Sequence, residues 1–406
     1  MSSTNDPKMI PVIDLFAGGG GFSQGVELSG THKVVLMVEY WDKGLGLHQE
    51  NFPECNHLLM SLGGDVNEFC DGIREYISKN NYENYHFHGS PPCQSFSAAN
   101  RAVGHVVADD ARSNLTTWFL EVVKELNPPT WSMENVPGCL KFLQEQDHPI
   151  LKDDSVKIFP SVYGYEVGVP TMRKRLFLGK GFDLSAFTTL RNNKRKRFMD
   201  APVTMIDSTH SSPNPFQKLL DDNPGTVPEQ FAVRSSTMNA AACKSRGETV
   251  NHKHLFEHGE CIKTLAECGF AQLASSRVDL YQRINNDNTS EDNMNIILDS
   301  IEAKHKLKGK DYVRPTKTFS TANVKPGTWK KLRPLTFEET KFIQGFPNSY
   351  VGPDEVTISY WTSLKDLNNG EPLKFKYIKI TAANKQRVVG NSVIPVVAKK
   401  LCEGMI

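Results

Sequence analysis

Ile10-Pro11-Val12-Ile13-Asp14-Leu15-Phe16 is an apolar run that reads as a short buried strand, and Ala17-Gly18-Gly19-Gly20-Gly21 follows it as a turn. Phe22 to Gly30 then reads as a helix ending on glycine, and Val34-Val35-Leu36-Met37-Val38 as a second strand ending in Glu39. Strand, glycine turn, helix, strand and acid is the opening unit of a parallel α/β sheet. Glycines let backbone approach a ligand closely, and a helix N-terminus carries partial positive charge. An acid about 20 residues after the turn stands where nucleotide-binding sheets hold ribose hydroxyls. The rival is a dinucleotide site. Four successive glycines lack the G-x-G-x-x-G spacing, because Ser23 stands where the third glycine would fall, and Phe16 and Phe22 crowd the turn. The turn therefore favours a nucleoside cofactor without a pyrophosphate.

The alternation continues along the chain. His48 to Phe52 reads as helical, and Gly64-Asp65-Val66-Asn67 as a turn that leaves Asp65 free to accept from an amino group. Phe69, Ile73 and Ile77 fall four apart, which predicts a helix over 69–79. Tyr85 to His88 reads as a strand leading into Gly89-Ser90-Pro91-Pro92-Cys93-Gln94-Ser95-Phe96-Ser97. Two prolines fix φ and hold the chain rigid just before Cys93. A thiol so placed is set for attack, and the competing reading is a buried structural cysteine. Residues 98–112 are polar without a clear period, as a long functional loop would be. Trp118 to Leu126 reads as an amphipathic helix stopped by Pro128-Pro129. Thr130 to Gly138 reads as a strand entering a turn, with Glu134 near its end. Acids at strand ends gather in the ligand crevice of such sheets, whereas a solvated turn residue is the plainer alternative. Arg173 and Arg175 lie two apart on an expected strand and so share a face. Two guanidiniums on one face suit a phosphate or a pyrimidine carbonyl, against the alternative of a solvated basic edge.

From about residue 186 the βαβ texture is lost. The length of 406 residues implies two domains, with a first over 1–185 completed by 384–406 and a second, irregular one over 186–383. Five of the seven residues from Arg191 to Arg197 are basic, which fits a phosphate-contacting patch, a nuclear localisation signal or a linker. His252, His254, His258, Cys261 and Cys268 do not have the spacing of a zinc module, so no metal site is expected there. Thr336 reads as the N-cap of a helix running to Gln344. Arg387 to Pro395 precedes an apolar helix, Val396 to Leu401, which is expected to return to the first domain. Apolar content is 39%, charge 23% and net charge +1, so any basic surface must be local. No run of about 18 apolar residues exists to span a membrane. No secretory signal is visible, and eight cysteines without a CxxC pair read as reduced thiols.

Taken in order, Asp14-Leu15-Phe16-Ala17-Gly18-Gly19-Gly20-Gly21-Phe22, Pro91-Pro92-Cys93-Gln94, Glu134-Asn135-Val136, Arg173-x-Arg175, Arg333-Pro334-Leu335-Thr336 to Gly345-Phe346-Pro347, and Gly390-Asn391-Ser392-Val393 resemble the DNA (cytosine-5)-methyltransferase family. Each motif alone is weak to moderate, but the ordered set is specific and covers nearly everything outside 186–330. The resemblance implies a Rossmann-like α/β methyltransferase fold with a mixed, mostly parallel sheet and a smaller target-recognition domain. It implies double-stranded DNA as substrate and S-adenosylmethionine as methyl donor. Cys93 would be the nucleophile at carbon 6 of a flipped cytosine, and Glu134 the acid at ring nitrogen 3. Arg175 would hold the carbonyl oxygen, and Arg173 would support the adduct. The polar segment after Cys93 would be the mobile catalytic loop. The cofactor would be lined by Phe16, Ala17, Gly18, Gly19, Gly20, Gly21, Phe22 and Pro91. Glu39 would take the ribose hydroxyls, Tyr40 would pack on the adenine, and Asp65 and Val66 would meet the adenine edge. Asn391, Ser392 and Val393 would close the site.

One departure is Thr171, where the family usually has glutamine two residues before the first paired arginine. Two rival functions remain at this point. A tRNA-methylating relative would carry Cys-Phe-Thr, absent here, and a short recognition region. A non-enzymatic DNA- or partner-binding member would not need Cys93, Glu134 and the glycine turn together. The expected compartment is the nucleus in a eukaryote and the cytoplasm otherwise.

Overall fold

The computed structural model describes residues 9–93, 96, 111–167, 173–185 and 344–405, with Phe270–Ala271, Arg333–Pro334, Phe337 and Lys341. All but the last two residues of the 98–112 segment expected as a catalytic loop, Thr171, the Arg191–Arg197 run, the His252–Cys268 set and most of the Thr336 helix lie outside these residues.

The expected opening unit is present. Strand β1 is Ile10–Leu15, helix α1 Gly21–Ser29 and strand β2 His32–Glu39. Helix α2 (Asp42–Asn51), β3 (Asn56–Leu59), α3 (Val66–Lys79) and β4 (His86–Gly89) continue the alternation. Helix α4 (Ala111–Leu126), β5 (Thr130–Asn135), α5 (Pro137–Glu145), β6 (Lys157–Tyr163) and β7 (Lys174–Lys180) complete it. The strands form one sheet in the order β3-β2-β1-β4-β5-β7-β6. The first five named in that order run parallel, and β7 is antiparallel to both neighbours. This is the expected Rossmann-like mixed sheet. Parallel strands are covered on both faces, which is why β1 and β2 read as continuous apolar runs. The crossover direction reverses between β1 and β4, so a crevice opens at their C-terminal ends.

Helix α4 starts at Ala111, a full two turns before the Trp118 expected from periodicity. Its first two turns, Ala111-Arg112-Ser113-Asn114-Leu115-Thr116-Thr117, are mostly polar, and this hid the helix from an apolar count.

The chain divides into two compact units, 1–194 with 341–406, and 195–340. In the second unit the described part is a parallel pair, β8 (Phe270–Ala271) and β9 (Arg333–Pro334). The first unit resumes at Lys341, whereas the sequence reading placed the return at 384. Strands β10 (Glu355–Tyr360) and β11 (Lys374–Lys379) form an antiparallel hairpin belonging to the first unit. Its apolar face, Val356, Ile358 and Ile378, closes on Gly46 of α2. Trp361 bridges Leu58 and covers the free edge of β3. Helix α6 (Leu364–Asn368) then lays Leu364 on Gly72 of α3. A short two-stranded hairpin has no βαβ period, so its membership was invisible in the sequence.

Helix α7 (Ala382–Asn391), capped by Thr381, precedes α8 (Pro395–Glu403). Helix α8 packs on α1, where a Cβ at Gly25 would lie 2.2 Å from the Pro395 carbonyl oxygen and 2.4 Å from Ala398 Cβ. Gly25→Ala is therefore expected to cost about 2 kcal/mol in urea unfolding, since overpacking outweighs the gain in helix propensity. Among the described residues no helix is long and apolar enough to cross a membrane.

Candidate active site

The glycine turn leaves β1 through Phe16, whose φ of 57° lies in the left-handed region that costs a non-glycine residue strain. Gly18 follows at φ 56°, and a Cβ there would meet open space. The other three glycines are packed. A Cβ at Gly19 would lie 2.1 Å from Val388, one at Gly20 2.5 Å from Phe52, and one at Gly21 2.5 Å from both Ser392 and the Val393 carbonyl. Gly18 is thus the glycine with open space beside it, and Gly19 and Gly21 are where α7 and its C-terminus close on the turn. Tyr350 adds a bond that the sequence did not signal, its hydroxyl donating to the Gly19 carbonyl at 2.6 Å.

Glu39 ends β2 and takes the Gly18 N–H on Oε2 and the Trp41 N–H on Oε1, each at 2.9 Å. Burial raises its pKa and these amides pull it back down. Tyr40, expected on the adenine, is 61% exposed. Its neighbour Trp41 is the half-buried aromatic here, with the Arg387 guanidinium 4.5 Å from its ring centroid. Asp65 caps α3, its Oδ1 accepting from Glu68 N–H at 2.8 Å, while Val66 opens that helix. Phe22, expected at the cofactor, is 2% exposed and stacks on His88 at 3.4 Å, so its ring belongs to the core. Ser392 donates its hydroxyl to the Val388 carbonyl, Val393 is buried and Asn391 is exposed.

The Cys93 turn is anchored on both sides. Ser90 N–H donates to the Leu15 carbonyl and extends the β1–β4 ladder past its end. Asn135 Nδ2 donates to the carbonyl of buried Pro91, and Asn135 Oδ1 accepts from Val136 N–H. Phe96 N–H donates to the Cys93 carbonyl, and the buried Phe96 ring packs on Phe142 of α5. Cys93 is half-buried, whereas the other described cysteines, Cys55, Cys70, Cys139 and Cys402, are buried. Burial pushes those thiols up, Cys70 to about 11 and Cys402 to about 12.

Glu134 sits one residue from the end of β5, and Arg175 lies on the adjacent β7. Arg175 Nε is 2.7 Å from Glu134 Oε1, and both side chains are largely buried. Arg173, 5% exposed, donates to the carbonyls of Gly390, Asn391 and Ser392 at the C-terminus of α7. A solvated basic edge is thereby excluded. Burial and then the Arg175 charge push the Arg173 pKa down to about 9, while Glu134 and Cys93 pull it up. It stays charged at neutral pH. Through these three carbonyls Arg173 positions the C-terminal segment.

A line of buried polar groups runs from the sheet interior to this turn. Thr130 donates to the Tyr85 carbonyl, so His86 Nδ1–H donates to Thr130 Oγ1 at 3.0 Å. His86 Nε2 then accepts from Ser132 at 2.7 Å, Ser132 accepts from His88 Nδ1–H at 2.7 Å, and His88 Nε2 accepts from Ser90 at 2.9 Å. One carbonyl thus fixes every proton in the line. Burial holds both imidazoles well below the ordinary histidine range. The unfolded chain binds their protons below pH about 6.5 and the folded chain does not, so each contributes stability that is lost as pH falls, at about 1.4 kcal/mol per unit. Asp14 acts in the opposite sense. Burial raises it to about 7, so its contribution is present below about pH 4 and lost as pH rises toward 7. The expected result is a melting temperature that drops between pH 7.5 and 5.5, with a smaller drop in His88→Gln.

With this geometry in view, the chain's relatives can be compared. The model of the C-5 cytosine-specific DNA methylase family matches residues 10–362, most of the chain, and the chain belongs to that family. Type II methyltransferase M1.HphI of Haemophilus parahaemolyticus is 31% identical over 179 residues, 41% of this chain and 45% of its own length. Type II methyltransferase M.XorII of Xanthomonas oryzae pv. oryzae is 32% identical over 185 residues, 43% of this chain and 42% of its own. M.AquIA, a Type II methyltransferase of Picosynechococcus, is 28% identical over 259 residues, 58% of this chain and 98% of its own. In the first two the match spans under half of the relative's length.

Proposed function

We propose that this chain transfers a methyl group from S-adenosylmethionine to carbon 5 of a cytosine in double-stranded DNA, through a covalent adduct of Cys93 with a base flipped out of the helix. The observation that carries this reading is the meeting of a half-buried thiol on a doubly anchored turn, a buried Glu134–Arg175 pair on the adjacent strands, and the open face of Gly18 beside Glu39. The residues fit the donor. Each Glu39 oxygen keeps a lone pair beyond the amide it takes, enough for ribose hydroxyls, and Gly18 leaves room for a nucleoside.

S-adenosylmethionine supplies an electrophilic methyl on a sulfonium. Cys93 Sγ, as thiolate, adds to ring carbon 6 and drives the C5–C6 electron pair onto carbon 5, which is otherwise a poor nucleophile. Glu134 hydrogen-bonds at ring nitrogen 3 and stabilises that adduct. Arg175 orients Glu134 and addresses the ring carbonyl. Carbon 5 would then take the methyl as the sulfonium leaves as a neutral thioether, and loss of the carbon 5 proton to solvent water restores the double bond and expels Cys93 as thiolate. Target readout falls to the 195–340 unit. The compartment follows the DNA, nuclear in a eukaryotic cell and cytoplasmic in a bacterial one.

The test is covalent trapping on duplex DNA carrying 5-fluorocytosine at random cytosine positions, which keep no proton to lose at carbon 5. A denaturation-resistant adduct that needs S-adenosylmethionine and disappears with Cys93→Ser is expected. Trapping on fluorinated tRNA alone, or on neither polymer, overturns the reading.

A further inference from the structure

Three further donors converge away from the Cys93 site. His48 lies on α2, Cys55 in the turn that follows it, and His57 on β3. Their ligand atoms all lie within 4.8 Å of one another, and all three residues are buried. His48 Nδ1 and His57 Nε2 face each other at 3.0 Å. The spacing, H-x6-C-x-H, matches no familiar module, so only the fold brings the three together.

We propose that His48, Cys55 and His57 form a binding site for a borderline-soft divalent cation, zinc by preference. Two imidazoles and a thiolate are the donor set such ions select.

The outer groups are arranged as a metal site needs. Ser23 donates to Asp14 Oδ2 at 2.7 Å, so the Ser23 oxygen, 2.9 Å from His48 Nε2, accepts that ring's proton. A metal-bound histidine hands its other N–H to an acceptor in this way. His48 Nδ1 is left with its lone pair aimed at His57. His57 Nε2 faces that nitrogen at 3.0 Å, and a cation held by both rings would take the place of the contact between them.

Charge points the same way. The Asp14 carboxyl is wholly buried, and its Oδ1 has no hydrogen-bond partner. A dication would balance one thiolate and one carboxylate, and its binding would release the thiol proton to solvent. The cluster also supports the proposed cofactor turn, because a Cβ at Gly20 would lie 2.9 Å from His48 Cδ2 and 2.5 Å from Phe52. A bound ion would clamp α2 to β3 beneath that turn.

The full chain, purified without chelator or metal affinity resin, is analysed for zinc by mass spectrometry. A second sample is stripped and titrated with cobalt(II). About one zinc per chain is expected, together with a thiolate-to-cobalt charge-transfer band. Cys55→Ser should abolish the band and lower retained zinc by at least about tenfold. If that variant does not fold, the wild-type spectrum decides by itself. A wild-type chain that retains no supplied zinc or gives no thiolate band overturns the proposal, and the groups are then a hydrogen-bonded relay ending on a protonated Asp14. Zinc and a band unchanged in folded Cys55→Ser also overturn it, since the ion then sits elsewhere.

Discussion

Cys93→Ser is expected to lower methyl transfer to duplex DNA by on the order of 10⁴-fold or more, because the hydroxyl is a far weaker nucleophile toward carbon 6 than a thiolate. The melting temperature should move by no more than about 2 °C, as exchanges outside the core cost little. The turn is held by its backbone and by its flanks: Ser90 on Leu15, Pro91 on Asn135, and Phe96 on the Cys93 carbonyl and Phe142. None of these anchors uses the Cys93 sulfur. Radiolabelled methyl transfer and a thermal melt on the same preparation separate chemistry from folding. Transfer within tenfold of wild type would remove the covalent route, and a large fall in melting temperature would make Cys93 a packing residue after all.

What was legible in the sequence is what local chain chemistry dictates. The strand, glycine turn, helix and acid of residues 10–39 could be read directly, because each depends on neighbours a few positions away. The rigidity before Cys93 could be read because two prolines impose it. What escaped depends on contacts between distant parts of the chain. Tyr350 reaches the Gly19 carbonyl across 331 positions, and Arg173 reaches Gly390 across 217. Neither residue type announces such a partner. The paired arginines were expected on one face, yet one binds Glu134 and the other the end of α7. Phe22 looked like a pocket wall because it adjoins the glycines, but the first turn of α1 points its ring at His88. The hairpin at 355–379 and helix α7 were missed for a different reason. In β11 the aromatic Phe375 and Tyr377 are exposed while Ile378 is buried, and the first turns of α7 are mostly polar, so neither shows its buried face as an apolar period. The buried histidines are the sharpest case. His48, His57, His86 and His88 are ordinary polar letters in the sequence, and only the fold brings them together, His86 and His88 through sheet register and His48 with His57 where α2 meets β3.

Arg173→Ala should be the most destabilising single change near the site, at about 3–5 kcal/mol, the range for breaking a buried charged network by removing one partner. The last carbonyls of a helix have no partner within it and carry partial negative charge, so a cation there both bonds them and opposes the dipole. Arg173 does this for α7 with three carbonyls at once, and its own burial makes those bonds strong. Alanine would leave the Gly390, Asn391 and Ser392 carbonyls facing a cavity. For a unit of this size the melting temperature should fall by roughly 6–20 °C. Arg173→Lys should recover part of the loss, because one ammonium keeps the charge but cannot span three carbonyls in a fixed fork. The consequence for function follows from where α7 ends. Ser392 and the Val393 carbonyl sit against Gly21, and Val388 against Gly19. A loosened α7 terminus therefore loosens the glycine turn, and the KM for S-adenosylmethionine should rise in Arg173→Lys by more than kcat falls. Equal losses in kcat and kcat/KM at unchanged KM, with a near-normal melt, would instead assign Arg173 to the reacting base.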